Sequence, residues 1–103
     1  MAVESLVTKR YLSLDTQCYK DASPDGGLDE RTKELLGLVA SAVLRCDDCI
    51  AYHIEGSVRS GWSRKEVEDA LNVAMIVGGT IVIPHARRAL LRLDECLAEA
   101  GRG

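Results

Sequence analysis

An all-α fold is predicted by three features of this 103-residue chain. Apolar residues recur at helical spacing, helix-start signals precede several of those runs, and no stretch alternates apolar with polar as a half-buried strand does. Residues 3–20 place Val3, Leu6, Val7, Tyr11, Leu12 and Leu14 on a rough helical stripe, and the turn-rich run Asp21-Ala22-Ser23-Pro24-Asp25-Gly26-Gly27 ends it. A second helix is expected over residues 29–45, with Asp29 as N-cap, Glu30 in its first turn, and Leu35, Leu36, Leu38, Val39, Ala42 and Val43 on its apolar side. Residues 46–61 read as a third helix: Asp47 and Asp48 suit the positive end of its dipole, and Gly61 suits its C-terminal stop. Ser63-Arg64-Lys65-Glu66 is a capping box, and the stripe Val67, Ala70, Leu71, Ala74, Val77 carries a fourth helix to Gly78-Gly79. The last helix, residues 80–100, tolerates Pro84 near its first turn and gathers Ala86, Ala89, Leu90, Leu93 and Leu97 on one side. Connections this short favour antiparallel neighbours, so the expected architecture is an antiparallel helical bundle.

Composition narrows the function classes. A formal charge of −3 leaves no cationic excess for a phosphate backbone or an anionic lipid surface, so neither nucleic acid nor membrane is an expected partner. No apolar run reaches the length of a membrane span, and the N-terminal stretch lacks the long apolar region of a secretory signal, so a cytoplasmic protein is expected. With 47% hydrophobic and 28% charged residues, the chain has the make-up of one globular domain. Residues 1–27 are read as an N-terminal helix and loop, and residues 28–103 as the main helical unit. A core this thin leaves oligomerisation open. Gly78-Gly79 lacks the strand and the Lys-Ser/Thr of a phosphate loop, and no cofactor is expected.

The chemistry lies in Cys46-Asp47-Asp48-Cys49 followed by His53. At 100° per residue, Cys46, Cys49 and His53 fall within a stripe about 60° wide. A helix N-terminus stabilises a thiolate, and the C-x-x-C spacing lets the second sulfur close a disulfide. Cys46 is best placed for the dipole, while His53, four residues beyond Cys49, can take that thiol's proton. Asp47 and Asp48 oppose thiolate formation, which increases the need for the histidine. If the second and third helices fold back near residues 45 and 46, Glu34 comes opposite Ser57 and within about one turn of His53. Glu34 then orients the imidazole, completing a set of nucleophile, base and orienter.

Other reactive side chains have plainer readings. Cys18 and Cys96 have no partner at motif spacing and are expected to be inert core cysteines. His85 is read as structural or as a subunit contact, and Trp62 as a packing or interface residue. Zinc is the main rival for Cys46, Cys49 and His53, but a structural site wants four ligands and no second ligand pair exists, so no metal is expected.

The spacing of Glu34, Cys46, Cys49 and His53 resembles the E-x11-C-x-x-C-x3-H pattern of the alkylhydroperoxidase D-like (AhpD-like) branch of the carboxymuconolactone decarboxylase family. Arg31-Thr32-Lys33-Glu34-Leu35, Cys49-Ile50-Ala51-Tyr52-His53 and Gly61-Trp62-Ser63-Arg64-Lys65-Glu66-Val67 agree with it, and the likeness covers about residues 28–95. The resemblance implies an all-helical domain assembling as a homo-oligomer, trimer or hexamer, and a thiol-dependent peroxidase. Cys46 and Cys49 would be its redox pair, and Glu34 and His53 its proton relay. It implies a hydroperoxide substrate and a dithiol reductant, which in this family can be a lipoyl-bearing protein. Decarboxylase members need no cysteine pair, and fuller peroxidase members carry His where this chain has Asp48. On this reading Cys49 attacks and Cys46 resolves, with the reverse order also open. The alternatives are a redox-sensing or metal-binding helical module without multiple turnover, and a decarboxylase-like enzyme.

Overall fold

The computed structural model describes residues 5–103, and every regular element among them is helical. The order is α1 (Leu6–Cys18), a 3-10 turn (Ser23–Asp25), α2 (Glu30–Leu44), α3 (Asp47–Arg59), α4 (Arg64–Gly78), a second 3-10 turn (Thr80–Val82) and α5 (Ile83–Glu99). Val3, the first residue of the predicted leading stripe, lies outside the described residues.

Local signals fix the element ends. Asp29 caps α2 by accepting from the Thr32 amide at 2.7 Å, and Ser63 and Glu66 form the reciprocal capping box of α4. Two predicted boundaries move. Cys46 is not inside α3 but is its N-cap, because Arg45 takes a left-handed conformation (φ 59°) that closes α2 and turns the chain sharply into α3. The segment after Gly79 does not enter α5 directly. Gly79 sits at φ 86°, and residues Thr80–Val82 wind as a 3-10 turn before the longer helix begins at Ile83, with Pro84 in its first turn.

Helices α2 to α5 enclose the core, in which Leu38, Ile54, Val67, Leu71, Val82 and Leu93 are fully or almost fully buried. The helices α2 and α3 run antiparallel, as the bond from Arg31 Nε to Ser60 O (3.1 Å) requires. The α4–α5 pair is also antiparallel, with Arg64 meeting Asp94 at 2.7 Å. The remaining two contacts are parallel, contrary to the expectation of antiparallel neighbours. Arg31 approaches Glu66 at the starts of α2 and α4, while Asp47–His85 and Glu55–Arg92 match α3 to α5 start to start and middle to middle. The chain passes from α3 to α4 along a diagonal of the ring, so the two antiparallel hairpins α2–α3 and α4–α5 lie side by side and each helix meets its parallel counterpart.

No α1 residue is buried. The end of α1 is anchored by Lys33 Nζ, which donates to the carbonyls of Cys18 (2.7 Å) and Lys20 (2.8 Å), and by Tyr19. Trp62 packs against the core, donates to Arg31 O at 2.8 Å and carries the Arg31 guanidinium on its ring face, as a packing residue should. No helix among the described residues is long and apolar enough to cross a membrane.

Candidate active site

The turn at Arg45 delivers Cys46 to the N-terminus of α3, where its Sγ accepts from the Cys49 amide at 3.3 Å. This is the place a serine or aspartate cap would occupy, and here a sulfur takes the amide that such a cap would satisfy. Cys46 and Cys49 lie at disulfide-bonding distance, with Cα atoms 5.3 Å apart. Cys49 is exposed and Cys46 half-buried, so the pair opens to solvent from the side of Cys49.

One turn further along α3, His53 is 8% exposed and faces α2. Its Nδ1 lies 3.0 Å from Oε2 of Glu34, itself 7% exposed. The carboxylate can only accept, so Nδ1 carries the proton of this bond and Nε2 is left as the basic nitrogen. Nε2 in turn meets the Tyr19 hydroxyl at 3.4 Å. Burial, followed by the nearby charges of Asp15 and Glu34, pushes the Tyr19 hydroxyl above its ordinary value, so it stays protonated and donates. The Tyr52 ring stands edge-on to the imidazole, with centroids 5.3 Å apart. The longer Nε2 contact is the weaker, and its lone pair is the one that can be given up to a proton arriving from elsewhere.

Two glycines make room for this arrangement. A Cβ on Gly56 would overlap the Glu34 carboxylate, and one on Gly37 would fall 2.7 Å from Cε1 of His53. Gly56→Ala at an ordinary helical site would stabilise by up to about 1 kcal/mol. Here the overlap is expected to reverse the sign and destabilise by about 1–3 kcal/mol, read from urea unfolding.

Helix geometry thus brings Glu34 to His53 as the hairpin arithmetic anticipates, and it places Cys46 and Cys49 together at the head of the same helix. Tyr19 escapes sequence reasoning. It lies 34 positions from His53, just beyond α1, and nothing in its local pattern marks it. Cys18 is exposed rather than a core residue, because α1 lies outside the packed core. Cys96 is buried, and that burial pushes its thiol up. His85, read as structural or as a subunit contact, lies 2.7 Å from Asp47, the first residue between the two cysteines. Among the described residues no three His, Cys, Asp or Glu side chains converge to hold a metal ion. A cleft of about 290 Å³ reaches Glu34 from the side of Arg31, Gly56 and Arg59.

Five α-helices among the described residues, a cysteine pair at the capped end of one of them and a buried Glu–His pair behind it define a class, and comparison with known proteins gives the class its name. The sequence profile of the carboxymuconolactone decarboxylase family matches residues 6–92, and the chain belongs to that family. Its fold is shared with a crystal structure of a carboxymuconolactone decarboxylase family protein of Thermotoga maritima, for which a part in an antioxidative response has been suggested. That likeness has a TM-score of 0.86 and 48% identity over 98% of this chain and 85% of the other. A Legionella pneumophila member of the family, crystallised in its apo form, superposes with a TM-score of 0.78 at 28% identity, covering 87% of this chain and 77% of the other. Among curated relatives, the uncharacterised protein 4 in the cox locus of Paracoccus denitrificans is 37% identical over 69% of this chain and 64% of its own length. The alkyl hydroperoxide reductase AhpD of Rhodospirillum centenum is 31% identical over 72% of this chain but only 40% of its own length. The matched segment therefore spans less than two thirds of these curated relatives.

Proposed function

We propose that the protein is a thiol-dependent peroxidase that cycles through a Cys46–Cys49 disulfide. The observation that carries this reading is the placement of the two sulfurs at bonding distance on the capped end of α3, with Cys49 open to solvent. In the reduced enzyme, the Cys49 thiolate attacks the outer oxygen of a hydroperoxide, forming a sulfenic acid and releasing the alcohol after proton transfer. The Cys46 thiol displaces water from that sulfenic acid and closes the disulfide. An external dithiol then supplies two electrons and two protons and leaves as its own disulfide. His53 takes the Cys49 proton on Nε2, and Glu34 holds the resulting imidazolium through Nδ1.

A lipoyl-bearing protein is the proposed reductant, which the AhpD-like pattern favours. One stoichiometric dose of an alkyl hydroperoxide is expected to remove two hydrogens from the reduced chain by mass. Dihydrolipoamide should restore the mass and support repeated turnover. Disulfide formation without repeated turnover would return the protein to a redox-sensing module, and no mass change would exclude thiol chemistry at this pair.

The active form is proposed to be a trimer or hexamer. Ile76 is 87% exposed, and Val73, Val77, Leu36 and Leu44 are exposed with it on α4 and α2, while α1 exposes Leu6, Val7, Tyr11, Leu12 and Leu14. That much unpartnered apolar surface favours association of copies. Light scattering on the eluted protein is expected to give three or six times the 11.2 kDa chain mass.

A further inference from the structure

The first residue between the cysteines presents a puzzle that α5 resolves. Asp47 starts α3 beside Cys46, and an uncompensated carboxylate there would oppose ionisation of either thiol. It is not uncompensated. Nδ1 of His85 lies 2.7 Å from Asp47 Oδ1, and Nη2 of Arg88 lies 3.1 Å from Oδ2, so two successive turns of α5 grip both carboxylate oxygens. Arg88 Nη2 also lies 3.2 Å from His85 Nδ1. That nitrogen cannot both donate to the carboxylate and accept from a guanidinium, and the shorter contact assigns its proton to Asp47. The His85 hydrogen bond, with Arg88 behind it, holds the Asp47 carboxyl below the usual carboxylate range. Asp47 therefore stays an anion throughout the range in which a thiol titrates, and its charge is offset by a fixed cation. Arg92 joins Asp47 and Arg88 around a small cavity of about 130 Å³, and Asp48 is the other anion on this turn.

We propose that His85 and Arg88 are positioning residues that clamp Asp47 and, by doing so, set the thiol reactivity and the reduction potential of the Cys46–Cys49 pair. This rests on the reading of that pair as a disulfide that cycles. Reduction adds two electrons and two protons to the disulfide and yields two thiols. Any field that favours the thiolate stabilises the reduced side and makes the disulfide easier to open. With the clamp in place Asp47 contributes little to that field. With Arg88 removed, the carboxylate acts on the sulfurs at full strength.

The test uses the whole chain equilibrated in dithiothreitol buffers of graded potential, with iodoacetamide alkylation followed by mass from pH 5 to pH 10. Arg88→Gln is expected to slow alkylation at pH 7 by about three- to tenfold and to make the disulfide harder to reduce by a similar factor, a tenfold change being about 30 mV for two electrons. Arg88→Lys, which returns the charge, should recover most of the loss, and Asp47→Asn, which removes a carboxylate already offset by the clamp, should move either readout less than twofold. In the Asp47→Asn background Arg88→Gln should change either readout less than twofold. A potential and pH profile in Arg88→Gln equal to those of the parent chain would overturn the inference. A full Arg88→Gln effect without Asp47 would also overturn it, since Arg88 would then act on the sulfurs directly. Failure of dithiothreitol to cycle the pair in the parent chain would remove the peroxidase reading as well, whereas cycling at one common potential would remove the clamp alone.

Discussion

Cys46→Ser and Cys49→Ser are each expected to abolish hydroperoxide turnover, a loss of roughly a thousandfold or more, while Cys18→Ser and Cys96→Ser leave it intact. The reason is positional. Cys46 and Cys49 can bond to one another across one turn of α3, with Cα atoms 5.3 Å apart, whereas Cys18 and Cys96 are free. Cys96 is buried and its thiol is pushed up by that burial, so little thiolate is present near neutrality. Cys18 is exposed and can be alkylated, but it has no partner sulfur to resolve a sulfenic acid. The two inactivating variants should also fail differently. With Cys49 attacking, Cys46→Ser treated with peroxide accumulates a sulfenic acid on Cys49 that dimedone traps, and Cys49→Ser gives no adduct. The converse pattern would reverse the order of the two cysteines, and equal turnover in all four variants would remove the mechanism.

Much of this site is legible in the sequence because it is local. Cys49 and His53 lie four residues apart on α3 and Cys46 caps the same helix, so their relation follows from local helix geometry and needs no tertiary knowledge. Glu34 is reached by one further step: a tight reversal at Arg45 and Cys46 makes α2 and α3 a hairpin, and register along a hairpin is arithmetic. The same reasoning does not yield the parallel contacts α2–α4 and α3–α5. Those depend on how two hairpins close into a ring, and no spacing along the chain encodes that. The three unanticipated neighbours of the motif come from across such contacts or from the periphery. His85 and Arg88 reach Asp47 because α5 lies parallel to α3, and Tyr19 reaches His53 because Lys33 ties the end of α1 to α2. Cys18 is exposed for a related cause: a stripe of Leu6, Val7, Tyr11, Leu12 and Leu14 has the spacing of a core helix, yet all five side chains are exposed. A hydrophobic period tells which face wants cover, and not whether this chain supplies it.

Removing the imidazole carries the second large expected effect. His53→Gln should slow turnover at neutral pH by about a hundredfold or more. Its amide can still donate to the Glu34 carboxylate, so the buried anion keeps a partner while the base is lost. His53→Ala, by contrast, strands that carboxylate, and an unpaired buried charge costs about 3–5 kcal/mol. A comparison of the two variants by urea unfolding therefore separates chemistry from folding: both lose rate, but only His53→Ala loses much stability. Alkylation of Cys49 should follow a curve displaced to higher pH in His53→Gln, because the thiol must then ionise without help, and the rates should converge above about pH 9. Glu34→Gln preserves an acceptor for Nδ1 but loses the negative charge that stabilises an imidazolium, so a milder loss of about tenfold is expected. Tyr19→Phe keeps the ring that packs 5.3 Å from His53 and removes only the hydroxyl on Nε2. If that hydroxyl does no more than occupy the basic nitrogen between turnovers, the variant should alkylate at least as fast as the parent chain. A pH profile unchanged in His53→Gln would exclude the base role and leave the Glu34–His53 bond as a purely structural link between α2 and α3.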